Sequence, residues 1–176
     1  EGYYATKSAY HLNQKYGAKM NRLFQPELVK IVDGFESKSD CLAYMTDLLA
    51  ESGCLDLPER FLAAVKGRED IMSTGIGKGV AIPHARDLTV TCIKIAVCLV
   101  REPLEFDSVD DLPVQLVFMI AVPQKAGKEY MKILRSLSEY LRNGENRNTL
   151  INATCERELY HDVLTIEEVI TDSINA

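Results

Sequence analysis

The chain has no tryptophan, and its five cysteines are odd in number. Cys41, Cys54, Cys92, Cys98 and Cys155 include no CxxC pair, so neither a zinc-type nor a dithiol pattern is present, and a disulfide framework is not expected. Three of them sit inside apolar periodic stretches and read as small core residues, which fits a reducing cytoplasm. Long apolar runs are missing as well. None approaches the roughly 20 residues that a membrane helix needs. The opening Glu1-Gly2-Tyr3-Tyr4 lacks the basic and apolar blocks of a signal peptide. No membrane insertion is expected, and the cytoplasm is the expected location. Positive charge is also short: 20 Lys and Arg against 26 Asp and Glu leave a net charge of −6 and a pI near 5.1. That excludes the broad basic face of a general nucleic-acid binder. His11 and His161 have no Cys or carboxylate set at ligand spacing, so no metal is expected. The sequon Asn152-Ala153-Thr154 carries no meaning in a cytosolic chain.

What remains is 47% hydrophobic and 26% charged in 176 residues, the balance of one globular core. A chain this long buries about 70% of its unfolded surface and needs no staples.

Residues 1–20 stand apart, with four of the eight tyrosines (Tyr3, Tyr4, Tyr10, Tyr16), three lysines and His11. They read as an extension: a tag, a linker or the end of an upstream domain, helical over about residues 6–16. The domain proper is expected over residues 21–176. Residues 28–33 suit a strand. Ser37 or Ser39 can cap a helix whose stripe is Cys41, Leu42, Met45, Leu48 and Leu49, ended by Gly53. Pro58 opens a second helix, with Phe61, Leu62 and Val65 inward, and Gly67 is expected to end it.

A glycine-rich loop then runs into a short strand expected to stop at Pro83-His84. Strands are expected at 91–100 and 113–122, the second so apolar that it reads as central. The acidic connection 101–112 is expected to be exposed. Helices are predicted at 128–143, 146–153, from Thr154 to about Asp162, and at 166–175 behind a Thr165/Glu168 capping box. Helices before and after a small sheet give an α/β domain of the α+β type: three layers, α/β/α, with a small mixed sheet flanked by helices.

Chemistry concentrates between residues 68 and 84. Gly75-Ile76-Gly77-Lys78-Gly79 is not a Walker A loop, because Gly79 follows Lys78 where Ser or Thr is required. It is not a dinucleotide fingerprint either, because Val80 stands where the third glycine belongs. Three glycines in five positions let backbone N–H groups approach an anion, or simply make a tight turn. His84 follows Pro83, which fixes the local backbone. A neutral imidazole there can act as nucleophile or acid/base, or be an ordinary satisfied histidine.

Taken together, Arg68-Glu69, Ser73-Thr74-Gly75-Ile76-Gly77 and Gly79-Val80-Ala81-Ile82-Pro83-His84 resemble the phosphorylation site of the IIA domains of the bacterial phosphotransferase system. The match is to the fructose/mannitol class, most closely its nitrogen-regulatory branch. The resemblance extends over about residues 21–172. It includes Pro103-Leu104, Phe106-Asp107, Pro113-Val114, Leu116-Val117-Phe118 and the strand exit Ala121-Val122-Pro123.

The resemblance implies a phospho-relay. His84 would take a phosphoryl group from the HPr-type phosphocarrier protein. It would pass the group to a IIB domain, or hold it as a signal to a regulated kinase, transporter or transcription factor. Arg68 matches the family's active-site arginine and would clamp phosphoryl oxygens; it could instead serve the helix end. Ser73, Thr74 and the backbone of Gly75, Gly77 and Gly79 would shape the phosphate pocket, with Lys78 and Arg86 adding local positive charge; either hydroxyl could instead serve only the turn. No cofactor or metal is implied.

One departure stands out. Where the family places a second histidine, this chain has Tyr130. A phenol can donate one hydrogen bond but cannot become cationic, and Tyr130 is also in phase with the apolar Ile133, Leu134 and Leu137. The substitution bears on onward transfer more than on acceptance. It leaves open an alternative, a non-catalytic interaction module of the same fold. A nucleotide enzyme using the 75–79 loop is the remote third reading.

Overall fold

The computed structural model describes residues 22–176. The extension 1–20 and its expected helix lie outside the described residues.

After a 3-10 turn at Pro26–Leu28 come β1 (Val29–Val32), α1 (Lys38–Glu51) and α2 (Pro58–Ile71). Three short strands follow, β2 (Gly75–Gly77), β3 (Val80–Ala81) and β4 (His84–Asp87), then the long β5 (Lys94–Leu104) and β6 (Val114–Pro123). The chain ends in α3 (Lys128–Arg142), α4 (Gly144–Ile151) and α5 (Glu156–Asn175). The strands form one sheet in the order β1-β5-β6-β3-β2, with β4 also on β6. β1 runs parallel to β5, and β3 and β4 run parallel to β6; β5/β6 and β2/β3 are antiparallel, so the sheet is mixed.

Period-two alternation sorts β5 and β6 into two cores. Ile95, Val97, Leu99, Leu116, Phe118, Ile120 and Val122 pack with Ile133, Leu137, Leu159, Val163 and Ile166 of α3 and α5. The alternate residues Ala96, Cys98, Val100, Val117, Met119 and Ala121 pack with Leu42, Met45, Leu49, Phe61 and Val65 of α1 and α2. Both faces are covered, which is why β6 is apolar almost throughout. The result is the α/β/α sandwich. Cys41, Cys54 and Cys98 are buried free thiols, and burial pushes the Cys41 thiol up to about 12.

Local signals hold at several boundaries. Ser37 caps α1 by accepting from the Asp40 amide, and Gly53 ends it at φ 82°. Four expectations change. α2 does not stop at Gly67 but runs on to Ile71. A glycine in a helix costs only about 1 kcal/mol against alanine, and Glu69, in the last turn, is anchored by Lys38 of α1. The glycine segment is itself part of a hairpin, β2–β3, and His84 opens a strand rather than ending one. The connection 101–112 is only partly exposed: β5 continues to Leu104, and Phe106 and Ser108 are buried. The two last helices are one. Leu159, Val163, Ile166 and Ile170 make an unbroken buried stripe, with Thr165 exposed mid-helix. Thr154 spends its amide and hydroxyl on Glu158, and Cys155 takes the cap position.

Candidate functional site

β3 and β4 lie in line on the same edge of β6. Val80 pairs with Leu116, Ala81 with Val117 and His84 with Ile120, so the register is unbroken across Ile82-Pro83. Pro83 has no N–H to give the ladder, but its carbonyl accepts the Ile120 amide at 2.9 Å. The proline therefore separates two short strands without shifting them, and fixes where the His84 ring leaves the sheet.

His84 is half-buried. Its Nδ1 lies 2.8 Å from the Ile82 carbonyl oxygen. A carbonyl can only accept, so Nδ1 carries the proton and Nε2 keeps its lone pair. Burial lowers the His84 pKa below its ordinary value, and the nearby positive charge of Arg68 lowers it further. The bond to Ile82 and the charge of Glu69 act against this. At neutral pH the ring is a neutral nucleophile with its reactive nitrogen chosen by the backbone.

Arg68 occupies the last turn of α2 and donates from Nη1 to the Met72 carbonyl at 2.7 Å. It is thus a helix-end arginine and also a charge felt by His84. One bond leaves most of its five N–H donors uncommitted.

Tyr130, in the first turn of α3, is 6% exposed and belongs to the core around Ile133 and Leu137. Its ring also lies 6.1 Å from the His84 ring, tilted by 48°. Among the described residues its hydroxyl has no hydrogen-bond partner. Burial raises its pKa, while Arg68 and Arg86 pull it down. Arg86, two residues after His84, sits 5.9 Å over the Tyr130 ring. Its Nη2 donates to the Gln124 and Ala126 carbonyls at 3.0 and 2.7 Å, which ties β4 to the turn leading into α3.

The other expected pocket residues are placed differently. Ser73 donates to the Phe106 carbonyl at 2.6 Å and accepts the Gly75 amide at 3.1 Å. Thr74 is buried, and its amide and hydroxyl both go to the Glu69 carboxylate. The two hydroxyls thus bond to the 106–111 loop and to α2. Gly75 lies so close to the 106–111 loop that a Cβ would come 2.4 Å from Ser108 Oγ. Gly77 and Gly79 have φ of 95° and 78°, as the hairpin turn demands. The anion that this loop meets is the protein's own Asp110, which accepts the Lys78 amide at 2.7 Å. Along β6 the partners of Val80 and His84 are four residues apart, Leu116 to Ile120, about 13 Å at strand rise. Gly77 pairs with Val80, Lys78 and Gly79 turn beyond it, and the three set the hairpin.

The structure brings together His84, Arg68, Tyr130 and Arg86. Spacing alone offered no sign of the Ile82 carbonyl, the Arg86–Tyr130 stack or the anchoring of Glu69. Among the described residues, no three His, Cys, Asp or Glu side chains converge as metal ligands would. No helix there is long and apolar enough to cross a membrane.

An imidazole with one nitrogen pinned and one free, in the field of an arginine and beside a phenol, can exchange an anionic group through nitrogen. The class is that of histidine-based group carriers on an α/β/α scaffold. Residues 22–165 match the family model for the phosphoenolpyruvate-dependent sugar phosphotransferase system, EIIA 2, and the chain belongs to that family. It is 33% identical over 138 residues to the fructose-specific EIIA component of Haloferax volcanii, covering 78% of this chain and 89% of that protein. It is 32% identical over 144 residues to the nitrogen regulatory protein of Pseudomonas aeruginosa, covering 80% and 90%. The crystal structure of the nitrogen regulatory protein IIA-Ntr of Neisseria meningitidis superposes with a TM-score of 0.73 at 29% identity, covering 80% of this chain and 96% of that one. EIIA domains are phosphotransferases that relay phosphoryl groups, and this chain is one of them.

Proposed function

We propose that Nε2 of His84 accepts the phosphoryl group from an HPr-type phosphocarrier. The observation that carries this reading is the 2.8 Å contact between Nδ1 and the Ile82 carbonyl, which leaves Nε2 unprotonated. The Nε2 lone pair forms the new N–P bond as the carrier's N–P bond breaks. Positive charge then spreads into the ring, and the Ile82 carbonyl, still holding Nδ1–H, offsets it. The uncommitted N–H groups of Arg68 bind the equatorial oxygens, and Tyr130 donates a further bond. Arg86 holds the tyrosine ring in place. Transfer between two histidines needs positioning and charge stabilisation, which these groups supply.

The group then passes to a IIB domain, or stays as a signal to a regulated kinase, transporter or transcription factor. The working unit is residues 21–176, acting in the cytoplasm, with 1–20 as an appendage. A non-catalytic interaction module is the less favoured reading, because it would have no use for an imidazole held in its nucleophilic tautomer. Intact-mass measurement with phosphoenolpyruvate, enzyme I and HPr tests this. Wild type should gain about 80 Da, one phosphoryl group, and His84→Ala should gain nothing. No gain in wild type, with an HPr that phosphorylates another EIIA domain, would overturn it.

A further inference from the structure

Glu69 has no direct contact with the reacting atoms, yet hydrogen bonds lead from it to the His84 ring. Its carboxylate is buried, with 4% of the side chain exposed, and Lys38 Nζ lies 2.8 Å from Oε2. The Thr74 amide donates to Oε2 at 3.0 Å, and the Thr74 hydroxyl donates to Oε1. The Thr74 carbonyl accepts the Ile82 amide at 3.0 Å. The Ile82 carbonyl accepts Nδ1–H of His84 at 2.8 Å. Lys38 itself is seated by the Phe106 carbonyl at 3.3 Å, by Asp107 at 3.9 Å and by the Phe106 ring 4.5 Å away. The start of α1 and the segment before β2 thus meet on one carboxylate at the end of α2; the 106–107 loop joins through Lys38, and Ile82 through Thr74.

We propose that Glu69, held by Lys38, is a positioning residue for phosphoryl transfer: through Thr74 and Ile82 it fixes the carbonyl that selects the His84 tautomer and aims Nε2. This rests on the phospho-relay reading of His84. The chemistry explains why a carboxylate is needed. It takes three donors at once, two of them from Thr74, and its charge answers the ammonium of Lys38. Glutamine could keep its carbonyl toward Lys38 and the Thr74 amide only by turning its NH2 to the Thr74 hydroxyl, which must then accept instead of donate, and it would leave Lys38 only the exposed Asp107 at 3.9 Å as counter-charge. The Thr74 peptide would then be free to tilt, and Ile82 with it. A displacement of about 1 Å in a reacting group is enough to cost on the order of 100-fold in rate.

The test uses Glu69→Gln, and Lys38→Met/Glu69→Gln to remove the ammonium as well. 15N spectra of the His84 imidazole in unphosphorylated protein read the tautomer without any need for phosphoryl transfer. Wild type should show a protonated Nδ1 and a bare Nε2; both variants should show a mixture. Uptake from phospho-HPr should fall about ten-fold or more in kcat, with KM for HPr within about two-fold, because the Glu69 side chain is buried away from any partner. Thr74→Ser keeps both donors and should stay near wild type. Should Glu69→Gln fail to fold, Thr74→Val removes only the hydroxyl bond and should give a smaller fall in the same direction. An unchanged tautomer with kcat within about two-fold, even at a lower Tm, would overturn the proposal and leave Glu69 a purely structural residue. A wild type that shows the tautomer but takes no phosphate would instead sink the relay reading.

Discussion

Tyr130→Phe asks whether this tyrosine belongs to the core or to the site. The ring is 6% exposed and packs with Ile133 and Leu137, and the substitution leaves all of that in place. The hydroxyl has no hydrogen-bond partner among the described residues, so its removal breaks nothing in the resting protein. Stability should stay within about 0.5 kcal/mol of wild type. The phosphoryl group changes the account. Once it reaches Nε2 of His84, whose ring is 6.1 Å from that of Tyr130, the hydroxyl can donate to a charged oxygen. Such a bond is worth about 1.5–3 kcal/mol, or about ten- to hundred-fold in rate.

Because that bond exists only with the phosphoryl group present, the loss falls on transfer and not on folding. Rapid-quench measurement of transfer from phospho-HPr, beside a melting curve, separates the two. A Tyr130→Phe protein that transfers within about two-fold of wild type would refute the reasoning and assign Tyr130 to the core alone. Tyr130→His is not expected to supply a cation at neutral pH. Burial and the charges of Arg68 and Arg86, which already act on the tyrosine, would both hold an imidazole there neutral.

Further outcomes follow from the same geometry. By NMR titration His84 should have its midpoint below its ordinary 6.5, because burial and then Arg68 lower it; Arg68→Gln should move it back toward 6.5 and slow phosphoryl uptake together. Since the folded value is the depressed one, stability is lost as pH falls through 6.5 toward that value, and the pH dependence of Tm should weaken in His84→Gln. Gly67→Ala, mid-helix with nothing within 4 Å of a Cβ, should stabilise by up to about 1 kcal/mol in chemical denaturation. Gly75→Ala drives a Cβ to 2.9 Å from the Ser108 Cα and should destabilise by about 1–3 kcal/mol; a neutral result would mean that the 106–111 loop yields freely.

Much of the fold was legible where short-range rules decide. The stripe Cys41, Leu42, Met45, Leu48 and Leu49 is buried as its helical spacing requires, and Ser37 and Gly53 bound that helix. The apolar run of β6 announced a strand covered on both faces. Errors came where local signals compete with distant contacts. Gly67 reads as a stop, but Glu69 is held by Lys38 and keeps the helix intact beyond it. Thr165 and Glu168 spell a capping box, yet the buried stripe from Leu159 to Ile170 carries one helix straight through. The glycine loop left an anion cradle and a plain tight turn open; it forms a hairpin turn whose Lys78 amide meets Asp110, from a loop 32 residues away in sequence.

The sequence by itself determined the layered α/β class, through periodicity, and, through the resemblance carried by the segments between residues 68 and 84, the phosphotransferase family and His84 and Arg68 as the pair to examine. Only the tertiary structure decided which nitrogen of His84 is free, that Ser73 bonds to Phe106 and Thr74 to Glu69, that Arg86 covers Tyr130, and that hydrogen bonds lead from Glu69 through Thr74 and Ile82 to the imidazole. The reason is physical. Each of these is settled by where a hydrogen-bond donor finds its acceptor, and Lys38 with Glu69, Ser73 with Phe106, and Arg86 with Ala126 are neighbours only because the sheet and its helices have closed around them.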